Sequence, residues 1–279
     1  MKRLLSLLVL ALLLWGCAAA PVPTTAPEDT QVPYYPDLTS LPGCMEYAQV
    51  LSEKHGISVH IGDAVQFVTP WDYDLESETE IPIIGRELTM LDRHLSNYPE
   101  GMVSTLSQQV GGLHISLVRG IYGKAGLGGL HTAAGLQFIE GETLYIALTP
   151  SAGSEYTLYH ELTHILDTYI LENNHSLDGW DSLNPPGFNY DNDYIQNQYR
   201  DGSEYLKPHT RAFIDTYSMS FAAEDKARLM EYAMTEGNEV LFDSPIMQRK
   251  LHLLSQAIRE TFSLESDPRT FLWEQYLIP

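Results

Sequence analysis

"LYHELTHILDTYI", residues 158 to 170, places apolar side chains at Leu158, Leu162, Ile165, Leu166, Tyr169 and Ile170. That spacing predicts a helix whatever the polar residues between them do. His160 and His164 stand four apart, one turn above each other, so both imidazoles can face one tetrahedral ion. Glu161, rotated by about 100° from His160, can reach a water held at such an ion. The competing reading is an ordinary amphipathic helix with two histidines on its wet side.

A catalytic metal of this kind needs a third protein ligand and an open position. One extended pattern requires Gly and His three and six residues after His164. Asp167 and Ile170 stand there, which excludes it. Residues 213 to 234, "FIDTYSMSFAAEDKARLMEYAM", predict a later helix capped by Ser220 with Glu224 in its first turn. Glu224 reads either as the third ligand or as an acid favoured by the helix dipole, with Arg228 as a surface ion-pair partner. Asp225 points about 100° away from Glu224. Glu231 shares its face but lies about 10 Å along the axis. His209 is the competitor outside this helix.

The run H-E-x-x-H-x-x-D, followed by Y-x6-E at the start of a later helix, resembles the zinc peptidase family of anthrax lethal factor and the Pro-Pro endopeptidases. His160, Glu161, His164 and Asp167 match the first part; Tyr217 and Glu224 match the second. The resemblance covers residues 143 to 234 and implies a zincin-like, gluzincin-type metallopeptidase with one zinc per chain. It implies His160, His164 and Glu224 as metal ligands, Glu161 as general base and Tyr217 as a phenol that stabilises the oxyanion or helps the leaving amine. Asp167 matches a position that supports the ligands from outside or is structural. Arg228 departs from the family, which commonly carries an acid four residues after the ligand glutamate. Thermolysin-like enzymes also contain HELTH, with the ligand glutamate much nearer the second histidine. The strand before the metal helix commonly forms the sheet edge in zincins, so Thr143–Leu148 is expected to pair with an extended peptide substrate. The alternative function is a zinc-containing lipoprotein that binds peptide or cell-wall material without cutting it.

Upstream, "CMEYAQVLSEKHG" predicts a helix closed by Gly56, and "ISVHIG" a short alternating strand. "GRELTMLDRHLSNYP" and "EGMVSTLSQQVGG" predict two more helices and "LHISLVRGIYG" a second strand. "GLQFIEGETLYIAL" reads as a hairpin turning at Glu140-Gly141-Glu142. Helical patterns follow almost to the C-terminus. The expected class is α+β: a small mixed sheet, an active-site helix and a C-terminal helical part. Residues 171 to 209, rich in Asn, Asp, Gly and Pro, read equally as a lid or binding loop and as a solvated insertion. Within them Asp191, Asn192 and Asp193 lack the spacing of a calcium loop, because Ile195 and Gln196 interrupt it.

The N-terminus "MKRLLSLLVLALLLWGC" has two basic residues and an apolar run too short to read as a stable span, so residues 1–16 are expected to be a signal peptide. "LWGC" resembles the lipobox of bacterial lipoproteins, which implies lipid on Cys17; the alternative is ordinary signal cleavage near Ala18-Ala19-Ala20. Residues 17–43 hold six of the sixteen prolines and read as an extended tether, leaving 44–279 as the domain. With Cys17 lipidated, Cys44 has no disulfide partner and is expected as a small buried residue. The net charge of −21 excludes nucleic acid as a natural partner and offers no pull toward anionic lipid. The expected location is outside the cell membrane, attached through the lipid alone, with peptide or protein as substrate.

Overall fold

Ser40 opens the first helix: its hydroxyl accepts from the Gly43 N–H at 3.2 Å, and Pro42 sits in the first turn, where a missing N–H costs nothing. This helix, α1 (Leu41–His55), ends on Gly56 in the left-handed region at φ 65°. It begins inside the segment read as tether, ahead of the expected start at Cys44. Cys44 itself is buried, as expected of a small apolar residue. The computed structural model describes residues 36–62, 73–108, 112–123, 132–173, 177, 179–193 and 200–278, all within one compact unit, Pro36–Pro279. Residues 1–16, Cys17 and most of the tether lie outside the described residues. No described helix is long and apolar enough to cross a membrane.

After α1 come β1 (Ser58–His60), β2 (Tyr73–Ser77), α2 (Ile81–Leu95), α3 (Met102–Gln108), β3 (Leu113–Gly123) and β4 (Thr132–Ala133). The hairpin β5 (Gly135–Glu140) and β6 (Thr143–Leu148) leads into α4 (Ser154–Glu172), then α5 (Ala222–Ala233) and α6 (Pro245–Thr261). The molecule is a mixed α/β protein with six helices among the described residues and one small mixed sheet.

Strand order is β1-β3-β6-β5: β1 and β6 run parallel to β3, and β5 runs antiparallel to β6. The far half of β3 carries β2 and β4 antiparallel. This corrects the expectation for Thr143–Leu148. β6 is hydrogen-bonded on both sides, and among the described strands the ends of this order are β1 and β5. β2 and β4 escaped the sequence reading because β2, "YDLES", has little apolar alternation and β4 is only two residues long.

One face of the sheet sends Leu113, Ile115, Leu117, Leu144, Ile146 and Leu148 into the main core beneath the helices. Each fully buried side chain of this kind contributes roughly 1.5–3 kcal/mol. The opposite face carries a small cluster of Val118, Ile121 and Ala147. A third cluster forms around Phe213, with Phe188, Tyr190 and Tyr205 packed against it. The described part of the 171–209 segment is thus anchored through aromatic residues that pack on this cluster, while many of its other residues are exposed.

Candidate metal centre

Helix α4 is buried on nearly every side, which settles the character of its polar residues. His160 is 9% exposed, Glu161 7% and Asp167 7%, beside fully covered Leu158, Tyr159 and Ile170. The histidines are therefore not on a wet face. Polar groups so placed need partners, and α5, packed along α4, supplies them. Its N-cap position is Phe221, without a side-chain cap, which corrects the assignment of Ser220. The Ser220 hydroxyl instead donates to the Tyr217 carbonyl at 2.5 Å. Helix α5 still starts with Glu224 in its first turn.

His160 Nε2 lies 3.1 Å from His164 Nε2 and 3.1 Å from Glu224 Oε2, and His164 Nε2 lies 3.6 Å from the same oxygen. A tetrahedral ion with bonds of about 2.0–2.1 Å sets its donors roughly 3.3 Å apart. The three atoms thus form a triangle of the right size, with the nitrogen and oxygen donors that zinc accepts. Among the described residues this is the one group of three or more His, Cys, Asp or Glu that could hold a metal. His209, the competitor considered from sequence, is exposed in a left-handed conformation and is not in the group.

His160 Nδ1 faces Glu231 Oε2 at 3.1 Å. Glu231 is not in the donor group and instead faces the imidazole as its carboxylate partner, a role that sequence spacing did not assign. The signal was present: positions 224 and 231 share one helix face. Asp167 takes the structural role, accepting from Lys226 Nζ at 2.6 and 2.5 Å and tying α4 to α5. Tyr217 sits in a short 3-10 turn, Tyr217–Met219, with its ring centroid 6.2 Å from that of His160.

Among the protein groups alone, the three carboxylates set the electrostatics. Burial works to lower the His160 imidazole, but hydrogen bonds to Glu224 and Glu231 and the nearby Glu161 charge raise it to about 10. Burial pushes Glu161 up to about 7, opposed by His160 and reinforced by Glu224 and Glu231. Burial lowers His164 to about 4 against the pull of Glu224, with His160 and Lys226 adding to the fall.

The Glu161 carboxylate is held against the side of β5 that no described strand pairs, where the Gln137 N–H faces it. The Ala134 carbonyl accepts from the Thr149 N–H at 2.8 Å. By the alternation of an antiparallel pair, Leu136 and Phe138 bond inward to β6, while Gly135, Gln137 and Ile139 turn their backbone groups outward. No described strand pairs with that side.

Behind Glu224 its neighbour Asp225 is fully buried and accepts from Lys250 Nζ at 2.6 Å, Tyr190 Oη at 2.8 Å and Trp180 Nε1 at 3.0 Å. Lys250 also lies 4.0 Å from the centroid of the Phe213 ring. This network anchors the 179–193 segment to the helix that carries Glu224. Cys17 lies outside the described residues. The chain has no significant match to a protein-family model, a curated protein or a solved structure.

Proposed function

We propose that the chain is an exported, lipid-anchored zinc metallopeptidase of the gluzincin type, with a zincin-like domain and one zinc held by His160, His164 and Glu224. The observation that carries this reading is the donor triangle of those residues beside a buried Glu161 at the edge of the sheet among the described strands. A bound zinc would supply a Lewis acid that makes water nucleophilic near neutral pH and polarises a carbonyl.

The protein's own groups do the rest. The β5 edge at Gly135 and Ile139 holds an extended peptide by its backbone, beside the Gln137 N–H that faces Glu161, so substrate enters as an added strand. Glu161 takes the proton of the attacking water and carries it to the leaving amine nitrogen. Tyr217, in its turn next to His160, donates a hydrogen bond to the oxyanion that develops only in the transition state. Glu231 keeps the His160 imidazole oriented so that Nε2 faces the ligand position. Attachment through lipid on Cys17 rests on the "LWGC" motif and would hold the domain at the outer face of the membrane. A Cys17→Ser chain remaining fully membrane-bound in fractionation would remove the lipid anchor from this reading.

The deciding experiment incubates the zinc-loaded chain with a peptide library, with and without chelator, beside a Glu161→Gln variant. Hydrolysis that disappears with chelator and in the variant is expected. Metal uptake without any cleavage would favour a zinc-containing lipoprotein that binds peptide or cell-wall material.

A further inference from the structure

Arg228 occupies a place where the resemblance leads one to expect an acid, and its contacts give it a definite task. Its guanidinium donates to both oxygens of Glu231, from Nη1 at 2.6 and 2.7 Å. From the other edge it donates to Asp215 Oδ2, from Nε at 3.0 Å and more closely from Nη2. Its planar group also lies 5.1 Å from the centroid of the Tyr232 ring. Glu231 receives His160 Nδ1 with the oxygen that Arg228 also holds.

Asp215 faces two ways. While Oδ2 holds Arg228, Oδ1 accepts from the Ser218 N–H and the Ser218 hydroxyl, both at 3.0 Å. Ser218 returns the contact, its hydroxyl accepting from the Asp215 N–H at 3.1 Å. That closed loop is the turn in which Tyr217 sits. A continuous polar path therefore runs from the Tyr217 turn through Asp215, Arg228 and Glu231 to His160.

We propose that Arg228 is a positioning residue that sets the Tyr217 turn and the His160 imidazole in register with each other, through Asp215 and Glu231. Two physical reasons support it. Glu231 stands in a buried site that already contains Glu161 and Glu224, and a third carboxylate there is costly without a compensating cation. A guanidinium can grip two carboxylates at once because its five N–H groups form a rigid fork; an ammonium has no such geometry. The carboxylate partner of His160 thus comes from a helix turn beyond position 228, held there by the base at 228 itself.

This inference rests on the proposed zinc site, and its test separates the two. Zinc affinity is measured by chelator competition in wild type, Arg228→Met, Glu231→Gln and the double variant, with the absorption spectrum of the cobalt-substituted proteins as a second readout. Each single variant should bind zinc about 10–100-fold more weakly, the usual cost of removing a partner of a ligating histidine, with an altered cobalt spectrum. The double variant should bind no worse than the weaker single, because both residues act along one path. At saturating zinc, Arg228→Met should lower kcat more than it raises KM, and Arg228→Lys should restore only part of the loss. If Arg228→Met fails to fold, Asp215→Asn breaks the path at its exposed end and should still lower kcat at saturating zinc. Unchanged zinc affinity and cobalt spectrum in Arg228→Met, additive losses in the double variant, or unchanged kcat in Asp215→Asn would overturn the proposal. Wild type that binds zinc but cleaves nothing would instead overturn the peptidase reading, leaving the affinity measurements to decide the role of Arg228.

Discussion

The Glu161 carboxylate lies directly against the backbone of Gly135: a Cβ at Gly135 would stand 2.8 Å from Glu161 Oε1 and 2.4 Å from Thr157 Cγ2. The absence of a side chain at the first residue of β5 is what lets helix α4 approach the sheet edge closely enough to put this carboxylate beside it. Gly135 needs no unusual backbone conformation for that; the requirement is space.

Gly135→Ala should therefore retain the fold and the metal but displace Glu161. Turnover is expected to fall by up to about 10²-fold, the cost of misplacing a reacting group by roughly an ångström, with a stability loss of about 1–3 kcal/mol from overpacking. Full turnover with unchanged zinc content would show that Glu161 does not need this place.

Glu224→Ala should abolish both tight zinc binding and peptidase activity, whereas His209→Ala should leave about one metal per chain. The triangle of donor atoms loses its only oxygen in the first variant, and His209 lies outside the cluster. Metal analysis of the purified proteins checks this. The reverse pattern would dismantle the ligand set.

Tyr217→Phe should keep the metal content and lower kcat more than it raises KM, since the phenol is assigned to charge that exists only in the transition state. The side chain is 40% exposed beside the site, and the substitution keeps its ring and removes only the hydroxyl. Equal kcat in the two proteins would leave Tyr217 without a chemical role.

Lys250→Met should destabilise the fold by about 3–5 kcal/mol, because it leaves Asp225 buried without its cation. Both side chains are 0% exposed. Lys250→Met combined with Asp225→Asn should recover part of that loss, as the uncompensated charge is gone. Denaturant unfolding with chelator present measures both. A loss below about 1 kcal/mol in the single variant would contradict the burial of this pair.

Acid should weaken the fold partly through His60 and His114, whose rings stack with His60 Nε2 2.8 Å from His114 Nδ1. Burial lowers both below 6.5, and His114 lowers His60 further. Because the folded-state values are depressed, the unfolded chain takes up protons first as pH falls. Stability from this pair is thus fully present above about 6.5 and lost as pH falls through the folded-state values. His114→Gln should show a shallower loss of urea midpoint than wild type over that window, both measured with chelator. An identical slope would remove the pair from the acid response.

The positions of β3, β5, β6 and α4 were legible because each is local: alternation over a few residues, a glycine turn at Gly141, an apolar stripe of period 3.6. The four-residue spacing of His160 and His164 is local too, and helix geometry alone puts them on one side. Other features depended on chains meeting across the molecule. Which strand of the hairpin stands at the edge among the described strands is decided by β3 pairing with β6, a contact between residues distant in sequence, and it is Gly135–Glu140 rather than Thr143–Leu148. The fate of the 171–209 segment turned on Asp225 and Lys250 meeting Trp180 and Tyr190 in a buried network that no local pattern encodes. The sequence by itself determined the helix and its two imidazoles, since these follow from a period within a single element, while Glu224 entered as third ligand only through the resemblance of Y-x6-E to a known family. Only the tertiary structure decided that Glu224 meets them, that Glu231 rather than Asp167 backs His160, and that Arg228 joins that pair to the Tyr217 turn. Most of those contacts join separate elements: the packing of α5 on α4 brings Glu224 and Glu231 to His160, and the 215–219 turn meeting α5 brings Asp215 to Arg228.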